Sequence, residues 1–412
     1  MNVLFLGGIF DDTMEKEILK KSKGTVHYAA NKFQWNLING LLEIDNLELA
    51  ILSAPFIGSF PKEYLDIKYE GMKSIYRNKI ECNYVGFNNI WGYRSISRRN
   101  NLIQSIKNFA SNKSENKSII IYSPHTPFLQ AAVYAKKIDP SIHICLVVPD
   151  LPQFMNLNKK RSFIYTILKR IDINIFEENS KFVDSFVLLT EPMKNMLNAG
   201  NRPYIVVEGV VNAERNNTED QIDNSNNRED IMTVVYTGTL NKKFGVVNLV
   251  ESFHNSNIKN VYLEICGKGD SEEIIKLYAS KDQRIKFLGQ LSNHEAIELQ
   301  KRATVLVNPR QNNEEFTKYS FPSKNMEYLL TGRPVIAYKL DGIPDEYDNY
   351  FYYVECNTVE SLTNKIEEVI SIKKEKRDEF GAKARSFVLR EKNNIIACKK
   401  IIDMIEKSRS DR

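Results

Sequence analysis

The sequence has little that would staple it, thread it through a bilayer or leave it unfolded. Its five cysteines stand singly at 82, 145, 266, 356 and 398. The count is odd and no CxxC pair occurs, so neither a disulfide framework nor a paired-cysteine zinc site is expected. Apolar neighbours around Cys145 and Cys266 predict buried thiols in a reducing compartment. Thirteen prolines and eighteen glycines are too few for a fibrous or low-complexity chain. No stretch approaches the roughly 18 consecutive apolar residues of a membrane span. Met1 leads at once into the strand-like Val3-Leu4-Phe5-Leu6, without the basic and apolar regions of a signal peptide, so a cytoplasmic protein is expected. Charge of one sign is also scarce: 57 Lys plus Arg against 52 Asp plus Glu leave a net +5. That falls far below the basic density of a nucleic-acid binder, and no nucleic-acid partner is expected. The five histidines form no cluster with metal-ligand spacing, and no metal is expected.

What remains is a globular composition, 42% hydrophobic and 26% charged over 412 residues. At about 150 residues per domain this predicts two to three domains. The first half alternates apolar strands with helices. Strands are predicted at Asn2–Leu6, Leu47–Ser53, Ile80–Tyr84, Ser118–Tyr122, Ile142–Val148 and Ser185–Thr190. Helical spacing occurs over Val26–Leu41, Ser97–Phe109 and Thr126–Lys137. Continuous apolar strands between helices predict a mainly parallel sheet covered on both faces.

Residues 212–230 contain one large apolar residue and predict a solvated loop. Tyr204–Glu208 before them reads as a strand feeding a second domain, which places the boundary near 203. The alternation then restarts, with strands at Thr233–Tyr236, Val261–Cys266, Ile285–Leu288, Thr304–Val307 and Pro334–Tyr338, and a helix over Ser323–Leu330. The charged tail from Glu360 to Lys407 reads as helical. The organisation expected is α/β: two doubly wound Rossmann-like domains facing a cleft. They span 1–203 and 204–384, and 385–412 form a C-terminal helix that packs back on the first domain.

Open α/β sheets bind ligands outside the carboxyl ends of their strands, and the notable residues stand there. Phe321-Pro322-Ser323-Lys324-Asn325-Met326-Glu327 opens a helix. Its amino end and Lys324 suit a phosphate, and Glu327, on the same face as Lys324, suits a ribose diol. A Ser cap on a solvated helix is the plainer alternative. Gly267-Lys268-Gly269 and Gly238 are glycine turns at strand ends, where a ligand or merely another backbone approaches closely. Lys242 and Lys243 follow within reach of a diphosphate. In the first domain Gly7-Gly8 closes the first strand, and Lys23-Gly24-Thr25 precedes the first long helix, where backbone amides suit a phosphate or acceptor group. His125 and Asp150 each follow a strand directly. Either is a polar contact or base in the cleft, or else a turn residue bonded to backbone. The basic stretch Lys159–Arg170 has helical apolar spacing, which fits an anionic membrane surface as well as it fits a domain helix with snorkelling cations.

Leu240, Gly267-Lys268-Gly269, Phe321–Glu327, Gly332-Arg333-Pro334-Val335-Ile336 and Gly342-Ile343-Pro344 occur in an order that resembles the second domain of retaining glycosyltransferases of group 1, or family 4. These enzymes have the two-domain GT-B fold and include many that build bacterial surface polysaccharides. Gly24-Thr25, His125 and Asp150 resemble positions of their first domain. The resemblance implies a nucleotide-diphosphate sugar held by the second domain and a glycan or lipid-linked saccharide acceptor held by the first. It further implies transfer with retention of configuration and no cofactor beyond the nucleotide sugar. It puts Glu327 on the ribose, Ser323 and Lys324 on the diphosphate, and Gly267 and Lys268 near the nucleotide. The sequence departs from the pattern where Tyr319 replaces the first of two glutamates, and Thr239 and Phe244 replace a basic pair. Lys242, Lys243 or Lys324 would then meet the leaving diphosphate. Two other readings remain beside hexosyl transfer: a nucleotide-sugar epimerase, and a non-catalytic partner that kept the fold.

Overall fold

The computed structural model describes residues 1–24, 26–77, 80–151, 163–213 and 231–411. The chain divides into two compact units, Met1–Val210 together with Asn394–Arg412, and Val211–Asn393.

The first unit is built on β1 (Asn2–Gly7), β2 (Glu48–Ser53), β4 (Met72–Tyr76), β5 (Ile80–Tyr84), β7 (Lys117–Tyr122), β8 (His143–Val148), β9 (Ser185–Leu188) and β10 (Tyr204–Val206). They lie in the order β10-β9-β8-β7-β1-β2-β5-β4. All neighbours are parallel except the β4–β5 pair, which is antiparallel. Every residue of β7 and β8 is buried, as the unbroken apolar runs predict for central strands of a parallel sheet. Two short strands, β3 (Lys68–Tyr69) and β6 (Phe87–Asn88), form a separate pair. The helices are α1 (Asp12–Lys21), α2 (Tyr28–Leu42), α3 (Arg94–Ser111), α4 (Thr126–Ile138), α5 (Phe163–Ser180) and the single turn α6 (Met193–Met196).

The second unit carries β11 (Met232–Thr237), α7 (Val246–Asn255), β12 (Val261–Cys266), α8 (Glu272–Lys281), β13 (Ile285–Phe287), α9 (Asn293–Lys301), β14 (Val305–Asn308), α10 (Ser323–Leu330), β15 (Val335–Tyr338), β16 (Tyr352–Val354), α11 (Val359–Ser371) and α12 (Lys374–Glu391). Its sheet is wholly parallel in the order β13-β12-β11-β14-β15-β16. Cysteines 82, 145, 266 and 398 are buried free thiols and Cys356 is exposed.

Two sequence expectations need correction. Tyr204–Val206 pairs with Phe186–Leu188 in the first sheet, so this strand closes the first unit instead of opening the second. A short apolar strand next to a domain change carries no signal of which sheet it joins. The expected boundary at 384/385 falls inside α12, and the chain re-enters the first unit only with α13 (Asn394–Ser410). There α13 crosses α2 so closely that a Cβ on Gly40 would stand 2.3 Å from Asn394 O, and Cys398 Sγ donates to Leu37 O. The polar helix α1 had no expectation at all. It is fixed by its cap: Asp11 accepts from the amides of Thr13 and Met14 at 3.0 and 3.2 Å. Most of the polar stretch 212–230 lies outside the described residues. No described helix is long and apolar enough to cross a membrane.

Candidate functional site

Both sheets reverse their strand order at one point, and such a switch point opens a crevice at the carboxyl ends of the flanking strands. In the second unit it lies between β11 and β14, whose ends are Gly238 and Pro309-Arg310. In the first it lies between β1 and β7, whose ends are Gly7-Gly8 and Ser123–His125.

The second-unit site is framed by two glycine turns that pack on each other. Gly238 N donates to Cys266 O at 3.0 Å, and Leu240 N to Lys268 O at 3.0 Å. A Cβ on Gly267 would lie 1.8 Å from Gly238 O, and one on Gly269 would lie 2.3 Å from Leu240 O. Gly267 also has φ +144°. These glycines are therefore demanded by the crossing of their own backbones. Lys268, Lys242 and Lys243 are exposed around that crossing. The turn holding the last two is fixed by Asp270 Oδ1, which accepts from Lys242 N, and by Asn241 Oδ1, which accepts from Lys243 N.

Helix α10 enters this frame with its amino end. Ser323 is its first residue and exposed, not its cap; Pro322 holds the cap position and no side chain bonds the end. The plainer reading of Ser323 as a capping residue is thereby removed. Lys324 Nζ donates to Glu327 Oε2 at 2.7 Å, with both side chains about one-third exposed at 34% and 31%. Lys324 also reaches toward Gly238, where its Cε would stand 3.7 Å from an added Cβ. Its charge acts on the Cys266 thiol, which burial pushes up and Lys324 draws back down. So Gly238, Gly267, Lys324 and Glu327 converge. Behind them Tyr328, fully buried, bonds the backbone of Thr237. Asn308 Nδ2 donates to Asn325 Oδ1 at 2.6 Å, and the buried Asn325 Nδ2 has no partner.

Arg310 is the residue the sequence reasoning passed over. It stands two residues past the end of β14 at the switch point, and its guanidinium lies over the Phe244 ring at 4.2 Å, with Nη1 donating to Ser320 Oγ at 3.2 Å. A cation is thus stacked on the aromatic that replaces a basic residue of the resembling pattern. The available signal was the triplet Asn308-Pro309-Arg310 closing a buried strand.

In the first unit the expected residues separate into two groups. Gly8 and His125 meet across Phe56: a Cβ on Gly8 would strike that ring at 2.5 Å, and the His125 ring centroid is 5.7 Å from it. Gly8 N already donates to the buried Gln34 Oε1 at 2.9 Å, and a Cβ on Gly7 would lie 2.3 Å from the same oxygen. These glycines make room for Gln34 and Phe56 and do not form an open amide cradle. His125 occupies the cap position of α4 without a side-chain bond, and its Nδ1 is buried without a partner. Burial, followed by Arg98, Arg94 and Lys169, holds its imidazole well below the ordinary value, so it is neutral. Asp150 is exposed, and its charge acts on Tyr122. Gly24 makes only ordinary contact with Glu63, at 3.6 Å for an added Cβ, and stands four residues before α2. Thr25 lies outside the described residues, as do 159–162 of the basic stretch, whose remainder opens α5. Among the described residues no group of three or more His, Cys, Asp or Glu is placed to hold a metal ion.

The family model described as Glycosyl transferases group 1 matches residues 217–387. No curated protein sequence matches the chain. Solved structures align over its full length. Sucrose-phosphate synthase from Thermosynechococcus elongatus is 11% identical with a TM-score of 0.63, all of both chains being covered. The lipopolysaccharide outer core galactosyltransferase WaaB is 14% identical with a TM-score of 0.62 over 99% of each chain. HepE of Anabaena, solved in complex with UDP, is 11% identical with a TM-score of 0.62 over 99% of this chain and 100% of that one. The chain is accordingly similar to glycosyltransferases and has the GT-B fold of two α/β domains.

Proposed function

We propose that the protein transfers a hexose from a nucleotide-diphosphate sugar to a glycan or lipid-linked saccharide, with retention of configuration and without a cofactor. The observation that carries this reading is the convergence of Lys324, Glu327 and the uncapped start of α10 on the switch point beside Gly238 and Gly267. An amino-terminal helix end and a lysine suit a diphosphate, and a half-buried carboxylate one turn on suits a ribose diol.

In this reading the bond between the sugar's anomeric carbon and the diphosphate oxygen breaks, and its electron pair leaves with the diphosphate. The acceptor hydroxyl oxygen bonds to that carbon on the same face, and its proton passes to the departing phosphate oxygen. The protein's task is then to stabilise charge growing on the diphosphate, through fixed cations and amides. Lys324 and Arg310 take that task here, with Lys242 and Lys243 at the exposed rim. Arg310 over Phe244 weakens the reading as a non-catalytic partner, because a cation is present even though Thr239 and Phe244 are not basic. His125, neutral, and Asp150 are proposed as acceptor contacts. Exposed Ile167, Leu168 and Ile171 beside Lys169 and Arg170 on α5 favour contact with an anionic membrane surface.

The test is incubation with a panel of nucleotide-diphosphate hexoses and saccharide acceptors, following release of nucleoside diphosphate. Release that requires an acceptor supports the transferase. Interconversion of the sugar without an acceptor would replace it with the epimerase, and neither activity would leave the non-catalytic partner.

A further inference from the structure

Buried polar atoms without a partner are rare in folded proteins and call for a physical explanation. Among the described residues, four of them gather around one loop of the first unit: Asn89 Oδ1, Arg98 Nε, His125 Nδ1 and Thr126 Oγ1. The loop is Ala54–Phe60, which follows β2. Asn89 Nδ2 donates to Gly58 O at 2.8 Å, Arg94 Nη1 to Ile57 O at 2.9 Å, and Arg98 Nη2 to Pro55 O at 2.5 Å. Phe56 of the same loop packs on His125, and Thr126 is the first residue of α4.

Cations dominate the charge at this corner. Arg98 is 2% exposed, and no described carboxylate pairs with it. Its flat face rests on Phe87 at 4.1 Å. Arg94, one turn earlier on α3, is half-buried, and Glu63 is the carboxylate whose charge acts on it. Lys169 adds a third cation toward His125. Taking a guanidinium out of water without a counter-charge is costly. The amino end of α4 adds positive potential, and no side chain bonds it.

We infer that Arg94, Arg98 and the amino end of α4 form a binding site for a phosphoryl group. Arg94 contacts the group, and Arg98 supplies fixed charge behind it. That the group belongs to the acceptor rests on the function proposed above; the anion site itself does not. A phosphoryl group can arrive on a soluble sugar phosphate or on a lipid carrier. The exposed Ile90, Trp91, Tyr93 and Ile96 flank Arg94 in sequence and offer an apolar neighbour for a carrier chain.

The experiment is calorimetric titration of the full chain with inorganic phosphate after saturation with a nucleoside diphosphate, which keeps the second unit's site occupied. Wild-type protein is expected to bind phosphate. Arg94→Gln, at a half-exposed position, should weaken it by about tenfold or more while leaving nucleoside diphosphate binding unchanged. Arg98→Met should weaken it as well. Absence of phosphate binding by the wild type, or undiminished binding by Arg94→Gln, would overturn the proposal. Should no nucleotide bind, the donor reading fails, and the phosphate titration, run alone, still decides this one. Phosphatidylcholine vesicles with and without a polyprenyl phosphate, compared with glucose 6-phosphate, assign the carrier: Arg94-dependent binding to the first gives a lipid acceptor, and to the second a soluble one.

Discussion

Tyr328 is bonded twice to the backbone of Thr237. The buried phenol accepts from the Thr237 amide at 2.9 Å and donates to its carbonyl at 3.1 Å. This ties α10, which carries Lys324 and Glu327, to the end of β11, which runs into Gly238. Gln300 Nε2 completes the arrangement by donating to Thr237 Oγ1 at 2.7 Å. The geometry of the candidate donor site therefore hangs on a fully buried tyrosine.

Tyr328→Phe removes both bonds and leaves a buried amide and carbonyl unpaired. Loss of a buried partner costs about 1–3 kcal/mol, so denaturant unfolding should show that much destabilisation. Nucleotide affinity should fall as well, since α10 loses its tether.

Gly267→Ala is expected to be far worse. Its methyl would sit 1.8 Å from Gly238 O at a φ of +144°, so one of the two turns must move. We expect at least about 3 kcal/mol of destabilisation and loss of soluble protein. Gly24→Ala serves as the control. That position has no close neighbour and should unfold like the wild type.

Arg310→Ala tests whether the guanidinium over Phe244 acts on the diphosphate. A charge-assisted bond contributes about 1.5–3 kcal/mol, so affinity for a nucleoside diphosphate should drop about 10- to 150-fold. Affinity for the nucleoside alone should not change. Equal loss for both would mean that Arg310 only supports the fold.

His125 gives a pH signature. Its folded-state value lies well below the ordinary 6.5, first through burial and then through Arg98, Arg94 and Lys169. Below pH 6.5 the unfolded chain takes up a proton that the folded chain refuses. Its contribution to stability is therefore full above that pH and declines as pH falls toward the folded value. His125→Gln should flatten the stability curve between about pH 6.5 and 5. An unchanged slope would place the titration on other groups.

Much of this was legible in the sequence because periodicity survives folding. The helix predicted over Ser323–Leu330 has those bounds in the structure, and Val261–Cys266 is a strand as read. The shared face of Lys324 and Glu327 followed from their spacing. Pairings that span the chain were not legible. Nothing local says that Tyr204–Val206 joins β9, or that α13 returns to α2, because those choices depend on which apolar face is left uncovered. Gly7 and Gly8 show the same limit. A glycine pair marks a close approach but does not name what approaches, here Gln34 and Phe56. Arg310 was missed because its significance lies in a ring far away in sequence, and Arg98 because burial of a cation leaves no pattern in the chain.

The most direct test of the donor site is calorimetric titration of UDP, ADP and GDP into the wild type and into Glu327→Ala. The account predicts micromolar binding of one nucleotide by the wild type, reduced at least about tenfold in the variant. Binding that is indifferent to Glu327, or no binding at all, would contradict it.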